Sequence, residues 1–406
     1  MIEPARPARR RVAGTLFAAR AVYAFNWYNV GAVLPLIGAT FRVGPVELGL
    51  VLGAFLVGVG IFQIPAGFAS IRYGSRNVSL FALTLMGAAG VASAFSPDIL
   101  VLALLRGLAG VGAAFFFSPA LSLIASYYSS GERGPIIGWY NGAFSFGGAV
   151  GLFLGAAIGA AWGWPFALGL GGAALLGCAA IGKLALPSDP LVHRPRSLAA
   201  LWNAGSGILR SRSIWALSLG LTGFWGATYA VAQYFVQFAY TFHPLWSYGV
   251  DAGLAALVVI VSFPGGPLGG WLAEQGRDRR GTLVMFGALA GLLVLLVPLS
   301  TLVWIAPLLV ALGVTDGIVF AVLYLIPSYL PEARGEGVAL GIAFINSVQV
   351  LLGSGVVVAF GLVAARGGFT LAWLFAGALA VGLLPLVSLV TPNSAPRPSP
   401  ALPPSR

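Results

Sequence analysis

The sequence has little charge and few residues that could form a disulfide or hold a metal. Only 8% of the 406 residues are charged and 59% are hydrophobic, a balance that a water-soluble core of this size does not need. The single cysteine, Cys178, excludes an intramolecular disulfide and is expected to pack as a small apolar side chain. The two histidines, His193 and His243, fall in loops, and the apolar segments contain no metal-ligand cluster or nucleophile–base motif. We therefore expect no metal, no cofactor and no enzymatic activity.

What the sequence does have is a series of long apolar runs. Runs of about 20 residues, the length of helix that crosses about 30 Å of hydrocarbon, recur along almost the whole chain. Short polar segments separate them. We predict twelve membrane-spanning helices, at residues 14–39, 47–71, 78–96, 99–127, 135–161, 165–186, 213–241, 248–273, 282–300, 302–329, 338–365 and 369–391. The fold class is thus an all-α integral membrane protein.

The positions of the basic residues explain the net charge of +11. Of the 22 Lys and Arg residues, 18 fall in the termini and in loops on one side of the membrane, whereas only Arg42 and Arg366 fall in loops on the other. Basic residues concentrate on the cytoplasmic side of membrane proteins. We expect a multi-pass protein of the cell membrane (inner or plasma membrane) with both termini cytoplasmic, and a lipid bilayer rather than nucleic acid around it.

The longest polar interruption divides the spans six and six. We predict a cytoplasmic N-terminus at 1–12, an N-terminal six-helix bundle at 13–186, a cytoplasmic linker at 187–212, a C-terminal six-helix bundle at 213–391 and a disordered, proline-rich tail at 392–406. The halves echo each other, since YSSGERG at 128–134 follows span four as YLPEARG at 329–335 follows span ten. Two such pseudo-symmetric bundles are one architecture of transporters, with the solute site between them.

Three segments make the chain resemble the major facilitator superfamily over essentially its whole length. Residues 67–76 (GFASIRYGSR) are similar to that family's Gly-x-Leu-Ala-Asp-Arg-x-Gly-Arg-Arg loop, with Ile71 at the acidic position. Residues 270–274 (GWLAE) repeat the pattern in the second half, and 106–110 (RGLAG) are similar to the family's Arg-x-x-x-Gly motif in span four. The family's antiporter signature in span five, with a Gly-Pro pair, is absent at 147–151, which disfavours drug/proton antiport.

The resemblance implies that the inner loops help to hold one closed state of the carrier. The residues that match the loop motifs are Gly67, Arg72, Gly74, Arg76 and Glu274. Arg20 lies a few residues inside the inner boundary of span one. It either extends to the lipid headgroups or holds an anionic solute at an inner gate.

Polar residues inside the spans predict which helices surround a cavity, because amides and ions in hydrocarbon must turn away from lipid. Spans three, six, nine and twelve carry none, except Lys183 at an inner end, and in the family that the chain resembles those helices are the outer supports. The residues that we predict to bind solute are Asn26, Asn29, Gln63, Arg106, Asn141, Trp225, Tyr229, Gln233, Asp316, Asn346 and Gln349.

Helical spacing adds detail to this set. Trp225, Tyr229, Gln233 and Gln237 are four residues apart and form one stripe on span seven, which is either a cavity wall or a packing seam with amide hydrogen bonds. For Asn141, Asn346 and Gln349, hydrogen bonds between helices are an equal alternative to solute contact.

Asp316 lies about 20 Å from the outer end of span ten, near the middle of the membrane. Because desolvation disfavours a charged carboxylate, a lone aspartate at that depth can take up and release a proton. The alternative is an ion pair with Arg106. Asp98, His243 and Asp251 are expected in solvated loop ends.

The preferred function is a monomeric secondary active transporter of a small solute, working by alternating access, with a proton carried by Asp316. Two arginines against one aspartate inside the membrane favour an organic anion or a zwitterion. A multidrug/proton antiporter is the alternative. A membrane-embedded enzyme and a non-transporting scaffold are remote ones.

Overall fold

The computed structural model describes residues 6–128, 130–187, 206–275, 278–330 and 336–390 of the chain. This part is helical and contains no strand. In chain order the helices are α1 (Arg6–Phe41), α2 (Pro45–Tyr73), α3 (Ser75–Ser93), α4 (Ile99–Tyr127), α5 (Ser130–Trp162), α6 (Trp164–Ala185), α7 (Arg212–Gly220), α8 (Thr222–Phe242), α9 (Tyr248–Glu274), α10 (Arg279–Leu296), α11 (Leu302–Leu325) and α12 (Glu336–Gly382). Short 3-10 segments follow α10, α11 and α12, at Val297–Leu299, Ile326–Tyr329 and Leu384–Leu389.

The helices match the predicted spans with one difference in continuity. Span seven is interrupted at Leu221, between α7 and α8. Spans eleven and twelve are two helices that follow each other directly across a kink, and they are labelled together as α12. The break within α12 is at Gly368, whose φ of 80° lies in the left-handed region that glycine tolerates. Among the described residues, nine helical stretches are long and apolar enough to cross a membrane, and one of them, Leu340–Leu389 with 50 residues, is long enough for two crossings. With α1 and α3 the count agrees with twelve, and the predicted fold class is confirmed.

Polar side chains at the helix ends fix where several helices begin. Asp98 accepts a hydrogen bond from the backbone N–H of Val101 (2.8 Å) at the start of α4, and Ser247 accepts one from Val250 (3.3 Å) at the start of α9. Such N-caps satisfy amide donors that have no partner within the helix. The helices thus start just before the apolar runs.

The packing of the helices places a subset of them at the centre. In the first half α1 packs on α5 and α6, and α2 packs on α4; in the second half α9 packs on α11, and α8 on α12. The halves meet most extensively where α2 packs on α12, α5 on α9, and α1 on α8. The helices α3, α6 and α10 pack on members of their own half and make none of these contacts between the halves.

Small residues allow two of these crossings. A Cβ on Gly147 of α5 would collide with the carbonyl oxygen of Ala21 on α1, and one on Gly110 of α4 with that of Phe55 on α2. Because lipid supplies no hydrophobic force that drives helices together, such close backbone contact is an important source of their association.

The predicted domain boundaries remain predictions. Residues 188–205 of the predicted linker, residues 1–5 and the predicted tail lie outside the described residues. The last part of the predicted linker is helical at residues 206–210, where Ile208 is buried.

Candidate functional site

A cavity of about 680 Å³ lies between the two halves. Its described wall residues come from α1, α2, α4, α5, α8, α9, α11 and the first part of α12. In the described part of the chain, α3, α6, α10 and the residues after Gly368 contribute none of the wall. This is the division between central and outer helices that the positions of polar residues predict.

The cavity is open at one end and closed at the other. Gly138 on α5 and Pro267 on α9 are exposed wall residues that lie towards the α4–α5 and α9–α10 connections. At the opposite end, the hydroxyl of Tyr248 on α9 donates a hydrogen bond to the carbonyl oxygen of Ala32 on α1. We call these ends the mouth and the closed end. The distribution of Lys and Arg predicts that the mouth faces the cytoplasm.

Arg20 is buried at the cavity wall with an unusual set of neighbours. Only 6% of the residue is exposed, and its Nε and Nη1 atoms have no hydrogen-bond partner among the described residues. Its guanidinium carbon lies 4.3–5.0 Å from the centres of four aromatic rings. These are the rings of Tyr23, Phe117, Tyr140 and Phe144. The side chain therefore lies inside the bundle, where cation–π contacts stabilise it but leave N–H donors free.

Asp316 on α11 is the acidic residue of the described wall, as Arg20 is the basic one. It is half-buried, and Thr228 of α8 approaches its carboxyl group. Both charged side chains are close enough to Tyr28 and Tyr324 to interact with them electrostatically. The wall thus carries one positive and one negative side chain, on opposite halves of the chain, with two phenols near both.

A chain of hydrogen bonds joins the halves at the wall. The hydroxyl of Tyr324 on α11 donates to Oδ1 of Asn346 on α12 (2.8 Å), and Nδ2 of Asn346 donates to Oε1 of Gln63 on α2 (2.9 Å). One residue further along α12, Ser347 donates to the carbonyl oxygen of Gly60 (2.5 Å). Asn346 therefore makes the hydrogen bond between helices that the sequence left open for it, and both Asn346 and Gln63 also line the cavity.

The predicted stripe on span seven is divided between wall and interior. Trp225 and Tyr229 line the cavity, with nearly parallel rings at 5.1 Å between centroids and 10° between planes. Gln233 does not reach the wall; its Nε2 donates to the carbonyl oxygen of Trp27 and to the hydroxyl of Tyr229, at 3.1 Å each. Asn141 of α5 is on the wall and exposed.

Several predicted solute ligands lie elsewhere. Asn26 and Asn29 of α1 donate to carbonyl oxygens of α6, at 2.8 and 3.2 Å, and so hold an outer helix. Arg106 is buried, donates to the carbonyl oxygen of Asn26 (3.3 Å) and lies over the ring of Phe55. The structure does not pair Arg106 with a carboxylate among the described residues. Gln349 points to the carbonyl oxygen of Leu217 (3.5 Å). For these residues solute binding stays a prediction that their placement does not favour.

The predicted latch residues lie around the mouth-side loops. Gly74 joins α2 and α3 with a φ of 83°, and Arg72 is exposed beside the ring of Tyr73. Arg76 donates to the carbonyl oxygens of Lys183 and Leu186 at the end of α6, at 2.7 Å each.

The other two latch residues are in the ends of helices. Gly67 is within α2, and a Cβ added there would meet no neighbouring atom. Glu274 ends α9, and its side chain is outside what the structure describes. The role of all five as a latch stays a prediction.

Sequence reasoning missed other wall residues. Tyr28, Thr228 and Tyr324 surround the acidic side chain, and Phe144 lies against Arg20. Phenols and hydroxyls are common at helix surfaces of every kind, so composition alone could not single them out. Helical spacing could have found Tyr324, which lies two turns after Asp316 on the same helix face.

One expectation about the closed end is wrong. Asp251 was placed in a solvated loop end, whereas the structure has it in the first turn of α9 with 1% of its surface exposed. The predicted span, 248–273, begins at the same residue as α9, but the rotation of the helix turns this side chain inward. His243 does lie in the α8–α9 connection, where partial burial lowers the pKa of its imidazole below the usual value.

Comparison with known proteins agrees with this architecture. The sequence model of the Major Facilitator Superfamily matches residues 16–354. Monocarboxylate transporter 11 of Mus musculus is 34% identical over 327 residues, which cover 74% of this chain and 69% of the mouse protein. The probable sulfoacetate transporter SauU of Cupriavidus necator is 26% identical over 294 residues, covering 67% of this chain and 68% of SauU.

Among solved structures, a bacterial homologue of the human lysosomal transporter Spinster superposes with a TM-score of 0.72. It is 19% identical, and the match covers 95% of each chain. Its crystal structure is of an inward-facing, unoccupied conformation. At this level of identity the match shows the fold.

Proposed function

The chain belongs to the major facilitator superfamily of membrane transporters, and we propose that it carries a small organic monoanion together with one proton by alternating access. The observation that carries this proposal is Arg20, a buried cation on the cavity wall with free N–H donors and no carboxylate partner among the described residues. An unpaired buried charge is costly, so the site is completed by an anion from solution. A carboxylate suits it, because the planar guanidinium can donate two parallel hydrogen bonds to its oxygens.

The charge of the wall supports coupling to a proton. With Arg20 charged and Asp316 ionised, the two side chains sum to zero. Binding one monoanion at Arg20 and one proton at Asp316 leaves the sum at zero, so that neither the empty nor the loaded site carries net charge across the low-dielectric membrane. We propose that Asp316 takes up and releases one proton in each transport cycle, so that one proton moves with each anion.

The relatives agree with an anionic solute. The names of two of them specify monocarboxylates and sulfoacetate, both organic anions. The cavity is large enough for a small organic acid, since ligand pockets typically have volumes of about 300–1,000 Å³. The aromatic rings around Arg20 would exclude water from the ion pair.

Sidedness and location belong to the same proposal. The excess of Lys and Arg at the mouth end supports a mouth that faces the cytoplasm, cytoplasmic termini and residence in the cell membrane. In the alternate conformation of the carrier, the mouth would be shut and the closed end would be open to the other side of the membrane.

The test is transport by purified protein in liposomes. Radiolabelled lactate and benzoate are taken up, and uptake into protein-free liposomes is subtracted because undissociated acid crosses lipid unaided. Arg20→Gln should raise the half-saturation concentration by about tenfold to 150-fold, since a hydrogen bond to a charged group contributes about 1.5–3 kcal/mol. Arg20→Lys should recover part of the affinity. Arg366→Gln, which removes an exposed arginine of the closed end, should leave uptake unchanged.

Two results would contradict the proposal. One is saturable uptake that survives in Arg20→Gln at wild-type affinity. The other is the absence of saturable uptake for every member of a panel of aliphatic and aromatic monocarboxylates. Transport of cationic dyes in place of these acids would favour the multidrug/proton antiporter over the carboxylate transporter.

A further inference from the structure

A buried acidic side chain lies at the closed end, outside the cavity. Asp251 has 1% of its surface exposed, and its Oδ1 has no hydrogen-bond partner among the described residues. The proton and anion sites proposed above do not use it. An ionised carboxylate in such a place lacks both water and a counter-ion.

Asp251 lies on the face of α9 that is directed towards the cavity. Ala255, Val258 and Ser262 follow it at intervals of three or four residues, so all four residues share one helix face. Val258 and Ser262 line the cavity, and Ala255 is fully buried. Asp251 is seven residues from Val258, or about 10 Å along the helix towards the closed end. The side chain therefore faces the shut part of the path that the solute would take.

The same face of α9 holds the closed end together. Three residues before Asp251, Tyr248 donates its hydrogen bond to the carbonyl oxygen of Ala32 on α1. This contact joins the two halves of the chain. Opening of the closed end would break it and admit water to the carboxyl group.

No cation is available to neutralise Asp251 in this part of the described structure. The closed-end halves of α5 and α11 contain no titratable residue, and α1 has none between Tyr28 and Arg42. From α8, Tyr240 contacts the ring of Tyr248, which in turn is the titratable neighbour of Asp251. His243, in the connection before α9, is stacked on Trp246.

We propose that Asp251 binds a proton when the closed end shuts and returns it to the solution on that side when the closed end opens. The carboxyl group is neutral while buried and ionises when hydrated. The proton is taken from and given back to the same compartment, so it does not cross the membrane. This gives the carrier a pH-dependent gate, distinct from the transported proton at Asp316. The inference rests on the alternating path of the proposed function but not on its solute.

The experiment measures opening of the closed end without any solute. Spin labels are attached at Phe95→Cys and Leu245→Cys, two loop positions of the closed end that are 81% and 98% exposed, in a chain carrying Cys178→Ala. Distances between the labels are measured by electron–electron double resonance in lipid nanodiscs. The pH is varied from roughly 5 to 8.5, which spans the range of perturbed carboxyl groups. The distance distribution should shift to longer values as the pH rises.

Variants identify the group responsible. Asp251→Asn should hold the short distance at every pH, and Asp251→Glu should restore a pH response. Asp98→Asn, which alters an exposed acid of the same end and keeps an N-cap acceptor, should respond as the wild type does. Asp316→Asn and His243→Gln should also respond, because neither removes the gate carboxyl. If Asp251→Asn does not yield folded, monodisperse protein, Asp251→Ser carries the same expectation.

The outcomes separate this inference from the function proposed above. A wild-type distance that does not change with pH, or a change that persists in Asp251→Asn, would overturn the gate and leave Asp251 as a helix-terminal acid. A changed proton-to-lactate ratio in Asp251→Asn would also overturn it, because the gate proton is not transported. Failure of lactate uptake would leave the solute-free distances unaffected.

Discussion

Replacing Asp316 by asparagine removes the acidic side chain of the described cavity wall and keeps its size. The wall offers one carboxyl group and one guanidinium, so we expect one proton to move with each anion. One pH unit corresponds to about 1.4 kcal/mol per proton. A lumen one pH unit more alkaline than the outside should therefore drive about tenfold accumulation of lactate at equilibrium.

In Asp316→Asn this pH-driven accumulation by the carrier should disappear, because the asparagine cannot take up the proton. Exchange of internal for external lactate should continue, since the anion site at Arg20 is intact. The assay compares initial rates of net uptake with rates of exchange in the same liposomes, after subtraction of protein-free controls. Accumulation by Asp316→Asn at the wild-type rate would refute proton coupling through this residue. Accumulation of about a hundredfold per pH unit in the wild type would refute the ratio of one proton to one anion.

Two further predictions concern the packing of the helices. Asn346→Leu removes the hydrogen bonds to Tyr324 and Gln63 and leaves both partners without theirs, so it should lower the free energy of unfolding by about 1–3 kcal/mol, which a thermal unfolding measurement would report; an unchanged unfolding temperature would contradict a clasp between the halves. Gly110→Ala places a Cβ against the backbone of α2 and should destabilise the protein by about 1–3 kcal/mol. Gly177→Ala, where a Cβ meets no neighbouring atom, should leave the thermal unfolding temperature unchanged or raise it, and equal losses in both variants would contradict the close-contact argument.

The sequence was sufficient to predict the number of spans and which helices are central. Hydrocarbon thickness sets the length of each apolar run, and this constraint is strong enough to locate a helix within a few residues. The outer helices contain almost no side chain that needs a polar partner, so the sequence also predicts their outer position. The break at Gly368 falls in the predicted gap between spans eleven and twelve, whereas the break at Leu221 was not predicted, since it lies within an apolar run whose composition does not change there.

The rotation of each helix could not be predicted with the same success. Asn26 and Asn29 were assigned to the cavity because an amide in a membrane needs a partner. The structure supplies that partner from the backbone of α6, at carbonyl oxygens that composition does not reveal. The placement of Gln233 differs from the predicted one for the same reason, because the carbonyl oxygen of Trp27 accepts its hydrogen bond. Asp251 shows the converse error, because the rotation of α9 buries an acid that the sequence predicts to be solvated.

Charge distinguishes two kinds of buried polar residue in this protein. Asn26, Asn29 and Gln233 are neutral amides that donate to backbone carbonyls, and their removal would loosen a contact between helices. Arg20 and Asp251 are ionisable and keep buried atoms without a partner among the described residues. The amide oxygens of Asn29 and Gln233 also have none among these residues, but an unpaired charge costs more than an unpaired amide. Because such atoms are expensive to leave unpaired, a fold retains them where another species completes the site for part of a cycle. On this argument an anion completes Arg20 and a proton completes Asp251, and both are bound and released as the carrier changes conformation.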